Sequence, residues 1–83
     1  MTLASLQARA NAAVDRKDWP AAADALRGVT ALAPRSARAW IDLSYVESFR
    51  GRYRAAHDAI TAAAGAQQRT ADDIADLIAR LRT

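Results

Sequence analysis

The chain has 83 residues, enough for one domain with a thin core, because a chain of this size buries only about 60–65% of its unfolded surface. Apolar residues make up 52% of it, and many are alanine, the strongest helix former, which favours an all-α fold. The net charge of +3 comes from scattered arginines and one lysine. The absence of cysteine excludes disulfides, thiolate metal sites and cysteine nucleophiles.

The first half of the chain predicts a pair of helices joined by a tight turn. Hydrophobic spacing predicts one helix over residues 3–16 and a second over residues 20–32. Pro20 suits the first position of the second helix, where its missing N–H costs nothing. Pro34 ends the pattern two residues after the second helix.

The second half predicts three more helices. A third covers residues 37–50 and is followed by Gly51, which can adopt the left-handed conformation that helix ends need. A fourth covers residues 53–64 and is closed by Gly65. A fifth covers residues 71–82, and its apolar side chains fall on one side, which is typical of a capping helix that shields its neighbour. These side chains are Ile74, Leu77, Ile78 and Leu81.

The helices follow an internal repeat with a period of 34 positions. Shifting the sequence by this distance aligns three hydroxyl residues, each placed to cap a helix: Thr2, Ser36 and Thr70. It also aligns three large apolar residues: Leu6, Trp40 and Ile74. We therefore expect one domain over residues 1–83, with units at about 2–35 and 36–69 and a capping helix at about 70–83.

This pattern resembles the tetratricopeptide repeat, a helix-turn-helix of the same period with fixed large and small positions. In the second unit the matching residues are Trp40, Leu43, Ser44, Gly51, Tyr53, Ala56, Ile60 and Ala63. In the first unit they are Leu6, Ala10, Trp19, Ala22, Leu26 and Pro34. The chain departs from the family at Arg9, Glu47 and Gln68, where leucine, tyrosine and proline are usual.

The resemblance implies an α-solenoid of two helix-turn-helix hairpins plus the capping helix, five helices in total. Small residues such as Ala22 and Ala56 would let the helices of a hairpin close together. Four larger residues would fill the space around that contact: Trp40, Leu43, Tyr53 and Ile60.

Side chains that could perform catalysis are scarce. His57 is the single histidine and Glu47 the single glutamate, so no arrangement of nucleophile, base and orienting group can be assembled. The carboxylate cluster of Asp72, Asp73 and Asp76 is interpreted as a complement to the dipole of the last helix rather than a metal site. We expect no enzymatic activity, no cofactor and no metal.

In the tetratricopeptide arrangement the first helix of each hairpin lines a concave face that holds another polypeptide. The residues predicted to bind a peptide there are Gln7, Asn11, Arg38, Ile41, Asp42, Tyr45, Phe49, Asp72 and Asp76. Three of these form an apolar row on the third helix: Ile41, Tyr45 and Phe49. This row either packs against the flanking helices or contacts the bound peptide.

Charge on this face predicts the chemistry of the partner. Family members that hold the C-terminal carboxylate of heat-shock chaperones use Lys, Asn, Asn, Lys and Arg, and only Asn11 matches that set here. Gln7 and three aspartates replace the rest, so a basic or neutral peptide segment is expected.

The resulting expectation is a protein-interaction scaffold that binds a peptide or partner protein. Two alternatives stay open: an element for homo-oligomerisation, and an N-terminal accessory module of a larger bacterial enzyme such as a sulfotransferase. Nucleic acid is disfavoured as a partner because the arginines are scattered among aspartates. No apolar run could span a bilayer and no secretory signal is recognisable, so we expect no membrane partner and a cytoplasmic location.

Overall fold

The fold is entirely helical in the computed structural model, which describes residues 2–82. Its helices, in chain order, are α1 (Leu3–Asp15), α2 (Trp19–Leu32), α3 (Ala37–Phe49) and α4 (Tyr53–Arg82). Each helix packs against the next, so that α1 contacts α2, α2 contacts α3 and α3 contacts α4. The predicted all-α class is confirmed, but these residues form four helices where five were predicted. Met1 and Thr83, the ends of the predicted domain, lie outside the described residues.

The two pairs α1–α2 and α3–α4 repeat each other at the spacing of the sequence repeat. Helices α1 and α3 begin and end 34 positions apart. Thr2 and Ser36 cap them in the same way, since each hydroxyl oxygen accepts a hydrogen bond from the backbone N–H three residues later, at 3.1 and 3.3 Å. The two caps predicted at these positions are therefore confirmed.

The turns within the two pairs are also equivalent. Lys17 and Gly51, again 34 positions apart, have φ angles of 56° and 75°. In each turn the following residue donates its N–H to a carbonyl five residues earlier, at 2.8 Å from Asp18 and 2.9 Å from Arg52. Gly51 adopts this left-handed conformation without the steric cost that the side chain of Lys17 bears.

The core consists of alanine-rich seams. Ala10 and Ala13 on α1, and Ala22 and Ala23 on α2, each keep 1% or less of their surface exposed. Such small side chains allow the two helices to lie close together. They also leave little volume to fill, which is how a chain of 83 residues closes a core.

Larger side chains join α2 to α3. Leu26 of α2 belongs to the same buried cluster as Leu43 and Val46 of α3, and Trp40 packs against this cluster. The indole N–H of Trp40 also donates to the carbonyl oxygen of Pro34 at 2.8 Å. The predicted core positions Trp40 and Leu43 therefore do contribute to the core.

Two other predicted core positions do not. Tyr53 is 72% exposed and Ile60 is 48% exposed. Their equivalents in the first unit, Trp19 and Leu26, lie on the side of α2 that α3 covers. Among the described helices, α4 packs only against α3, so the corresponding side of α4 has no cover.

Helix α4 continues through the predicted break at Gly65. Glycine costs about 1 kcal/mol relative to alanine in a helix. The neighbours of Gly65, however, are alanine, glutamine and arginine, which favour helix. Gln68 occupies the position equivalent to Pro34 in the repeat, so no proline stops the helix there. Thr70 does not act as a cap, because its hydroxyl donates to the carbonyl oxygen of Ala66 at 3.1 Å. The prediction of a separate fifth helix is wrong.

The last part of α4 extends beyond the two helix pairs. Every residue from 67 to 82 is exposed, so the prediction that this segment shields the second pair is also wrong. An ion pair between Arg35, in the α2–α3 connection, and Asp73 ties the beginning of the extension to the rest of the molecule. The result is an elongated shape of 52 × 27 × 17 Å.

Glu47 makes a buried ionic link between α2 and α3. The side chain is only 1% exposed and accepts hydrogen bonds from Arg27 of α2 at 3.0 Å and from Arg50 at 2.9 Å. Arg27 also contacts Asp24 at 3.2 Å. A buried carboxylate is tolerated here because it has two guanidinium partners.

The substitution Ala22→Leu tests the alanine seam. We expect the free energy of unfolding to fall by about 1–3 kcal/mol, because added methyl groups overpack a site with no free surface. Urea unfolding followed by circular dichroism measures the effect. Ala12→Leu on the exposed side of α1 is the matched control, and an equal loss in both variants would contradict the close approach of α1 and α2.

The substitution Glu47→Gln tests the buried ionic link. We expect unfolding to become easier by about 1–3 kcal/mol, because the hydrogen bonds of Arg27 and Arg50 lose their charged acceptor. Asp24→Asn is the control, since Asp24 shares the partner Arg27 but its side chain is 80% exposed. That variant should lose less than about 0.5 kcal/mol in the same unfolding experiment, and a larger loss than in Glu47→Gln would refute the assignment.

Candidate functional site

An open groove of about 480 Å³ separates α1 from α3. Both helices pack against α2, which lies beneath the groove. Helix α1 contributes Gln7, Asn11 and Val14 to one wall, and α2 contributes Trp19 and Leu26 to the floor. The floor therefore consists of side chains that also belong to, or pack against, the main core cluster.

Helix α3 forms the opposite wall with two aromatic side chains. Tyr45 and Phe49 are one helical turn apart, and each is 62% exposed. The ring of Phe49 stacks on Trp19 with a centroid distance of 4.8 Å and an interplanar angle of 27°. Large exposed aromatic side chains that converge in a concave surface are typical of a binding site.

The other end of the groove is polar. On α3, Arg38 contacts Asp42 at 3.1 Å, and on α1 the amide of Gln7 donates to the side-chain oxygen of Asn11 at 3.2 Å. A second cavity of about 350 Å³ continues from this point towards the beginnings of α1 and α3. Gln7, Arg38 and Asp42 border both cavities, so the two form one extended depression.

The structure brings together six of the nine residues predicted for a peptide site. These six are Gln7, Asn11, Arg38, Asp42, Tyr45 and Phe49. Ile41 is half-buried and is not part of the groove lining. The sequence pattern did not assign Trp19 to this surface, because its place in the repeat indicated a packing role and its contact with Phe49 joins two different helices.

Asp72 and Asp76 lie away from the groove, which corrects their predicted placement. Asp72 accepts a hydrogen bond from Gln68 at 3.0 Å, and Asp76 lies 3.7 Å from Arg80, all within the extension of α4. The prediction assumed that this segment turns back to stand beside α3. Helix α4 is unbroken from Tyr53 to Arg82, and both carboxylates lie in its exposed last part instead.

The groove is consequently less acidic than predicted. Its charged side chains are Asp15, Asp42 and Arg38, which sum to −1 at neutral pH. Arg38 is bonded to Asp42, so Asp15 carries the remaining negative charge at the aromatic end. Any electrostatic preference of the groove for a cationic ligand is therefore modest.

The described residues do not gather into a metal site, since no three histidine or carboxylate side chains come close enough to share an ion. His57 has a side chain that is 80% exposed and lies 3.9 Å from Asp58. None of the four described helices has the length and apolar character needed to cross a bilayer.

Comparison with protein-family models, curated proteins and solved structures finds no match to this chain. Two features of the molecule itself bear on its function. One is the repeat that relates α1 to α3, and the other is the groove that the first helices of the two units enclose.

Replacing each aromatic residue of the groove separately tests their different roles. Phe49→Ala should lower the free energy of unfolding by about 1 kcal/mol, because stacking on Trp19 is lost. Tyr45→Ala should change it by less than about 0.5 kcal/mol, since most of that side chain is already in water. Thermal and urea unfolding of both variants measure these changes. A larger loss in the free energy of unfolding for Tyr45→Ala than for Phe49→Ala would contradict this assignment.

Proposed function

We propose that the chain is a protein-interaction module of the tetratricopeptide type that holds a peptide segment of a partner protein between α1 and α3. The observation that carries the proposal is the groove in which Tyr45 and Phe49 stand exposed above a floor of core residues. Exposed aromatic side chains of this kind provide much of the binding energy at protein interfaces.

The repeat supports the family part of the proposal. A helix-turn-helix unit that recurs every 34 positions has the period of tetratricopeptide repeats. The equivalent caps and turns support the same unit length, because hydrogen bonds of the first pair recur 34 positions later. In such an α-solenoid, the first helices of successive units line the inner face, and α1 and α3 are the helices that enclose the groove.

The lining of the groove suggests how a peptide would be held. Tyr45 and Phe49 would receive one or two apolar side chains, and the amides of Gln7 and Asn11 can donate to and accept from an extended peptide backbone. The free negative charge of Asp15 near the aromatic end favours a neutral segment or one that carries a lysine or arginine. A groove of about 480 Å³ has room for a few side chains.

The same lining supports a non-catalytic role. The groove combines apolar, amide and ion-paired side chains, and it provides no nucleophile with a base to activate it. We therefore expect this site to form a complex with a partner and not to catalyse a reaction.

Peptides selected from a displayed random library on the folded chain would test the proposal. We expect the selected peptides to share an apolar residue and to carry no net negative charge. Fluorescence anisotropy of labelled peptides should then show at least about tenfold weaker binding to the Tyr45→Ala/Phe49→Ala variant, which corresponds to about 1.4 kcal/mol.

Leu32→Ala is the matched control for that measurement, because Leu32 is 55% exposed and does not line the groove. It should bind the selected peptides as tightly as the parent chain. Tighter binding of acidic than of basic peptides, or equal binding by the aromatic double variant while it remains folded, would refute the proposal.

A further inference from the structure

A stripe of exposed apolar side chains runs along one side of α4. It comprises Tyr53, Ile60, Ile74, Ile78 and Leu81, with exposures between 45% and 77%. Ile60 and Ile78 are 18 positions apart, which is about five turns at roughly 3.6 residues per turn, and the other three fall within about 60° of the line that joins them. An apolar surface of this extent on a helix of about 45 Å indicates an interaction surface.

The internal repeat indicates what kind of element covers this stripe. Trp19 and Leu26, the equivalents of Tyr53 and Ile60 in the first unit, are covered by α3 in the same molecule. The equivalent of α3 in the next unit would begin at residue 71. By this equivalence, a segment with the sequence of residues 71–82 is the expected cover for Tyr53 and Ile60, as α3 is for Trp19 and Leu26.

The side chains of this segment suit that position. Ile74 corresponds to Trp40 and Leu77 to Leu43, two α3 residues of the main core cluster or packed against it, whereas Val46 of the same cluster corresponds to Arg80. Leu77 is 55% exposed, as expected for a contact residue that lacks its partner. The covering helix and the surface that needs covering are thus encoded in one chain.

The segment cannot reach the stripe of its own molecule while α4 is one unbroken helix. Ile60 and Leu77 are separated by 17 positions of one continuous helix, or about 25 Å at roughly 1.5 Å per residue. The extension of a second copy has no such constraint. If it lies antiparallel to α4 of the first copy, both copies exchange the same segment and the arrangement closes with two-fold symmetry.

We propose that two copies of the chain associate through antiparallel α4 helices, each placing residues 71–82 on the uncovered side of the other copy's α4. Leu26 and Leu43 belong to one buried cluster. Their equivalents 34 positions later are Ile60 and Leu77, so the proposed register places Ile60 of one copy against Leu77 of the other. The two-fold axis then passes between residues 68 and 69, the midpoint of 60 and 77.

The sequence around this axis fits the proposed register. Gln67 is exposed, lies about 20° from the line that joins Ile60 and Ile78, and interrupts the apolar stripe at its centre, whereas Arg69 lies on the opposite side of α4. The antiparallel register places Gln67 opposite Thr70 of the other copy and the apolar halves against each other, whereas a shifted register would bury Gln67 against apolar side chains. The groove contains no residue of α4, so this association is independent of the proposed peptide binding.

Sedimentation equilibrium over a range of concentrations measures the association. We expect a reversible dimer whose dissociation constant rises at least about tenfold in Ile60→Asp and in Leu77→Lys, since a symmetrical interface contains each changed site twice. Mixing these two variants should restore dimer, because one end of the mixed dimer is unchanged and the other pairs aspartate with lysine. Leu32→Asp is the control and should dimerise like the parent chain.

Crosslinking distinguishes exchange between copies from folding back within one copy. The sequence has no cysteine, so oxidised Ile60→Cys/Leu77→Cys should form disulfide-linked dimers, whereas Ile60→Cys alone should not, because its two sulfurs would lie about 25 Å apart. Adding Gln68→Pro, which recreates the helix stop of Pro34, should convert the crosslink to one within a monomer. Circular dichroism establishes that each variant is folded.

Three results would overturn the proposal. The first is a chain that stays monomeric up to the highest concentration measured. The second is a dimer that survives both charge substitutions unchanged. The third is a disulfide within single copies when Gln68 is present, because that result would mean the segment covers its own stripe.

Discussion

The close contact between α1 and α2 is the constraint on which the rest of the molecule depends. Four alanines with almost no exposed surface let these helices approach, and α2 can then offer its other side to α3. The groove exists because α1 and α3 both stand on α2 without filling the space between them. A larger side chain in the seam would therefore disturb the groove as well as the core.

The same construction explains why one side of the second helix pair has no cover among the described residues. In a linear stack each pair covers the exposed side of the one before it, so the terminal pair always presents one unsatisfied surface. Here that surface is the side of α4 carrying Tyr53 and Ile60, and the residues equivalent to a covering helix instead continue α4 as one exposed, unbroken helix. The described residues thus form both a groove between α1 and α3 and an uncovered apolar surface on α4.

Local signals in the sequence accounted for α1, α2 and α3 to within about one residue, because caps, prolines and Gly51 mark their ends. The predicted break at Gly65 is wrong because a single glycine among strong helix formers stops a helix only weakly. Gln68 stands at the position equivalent to Pro34, so no proline ends the helix there. Asp72 and Asp76 were misplaced by the same error. The burial of Glu47 was not predictable either, because its partner Arg27 comes from another helix.

The floor of the groove has a thermodynamic consequence, because Trp19 and Leu26 line the groove and also belong to the core or pack against it. The groove exists only when α1 and α3 are packed on α2, so a ligand of the groove would bind the folded chain and not the unfolded one, and occupancy and folding would be linked equilibria. At a ligand concentration one hundred times its dissociation constant, the folded state would gain about 2.7 kcal/mol. Because a domain of this size has a thin core, a bound partner would contribute a sizeable part of its free energy of unfolding.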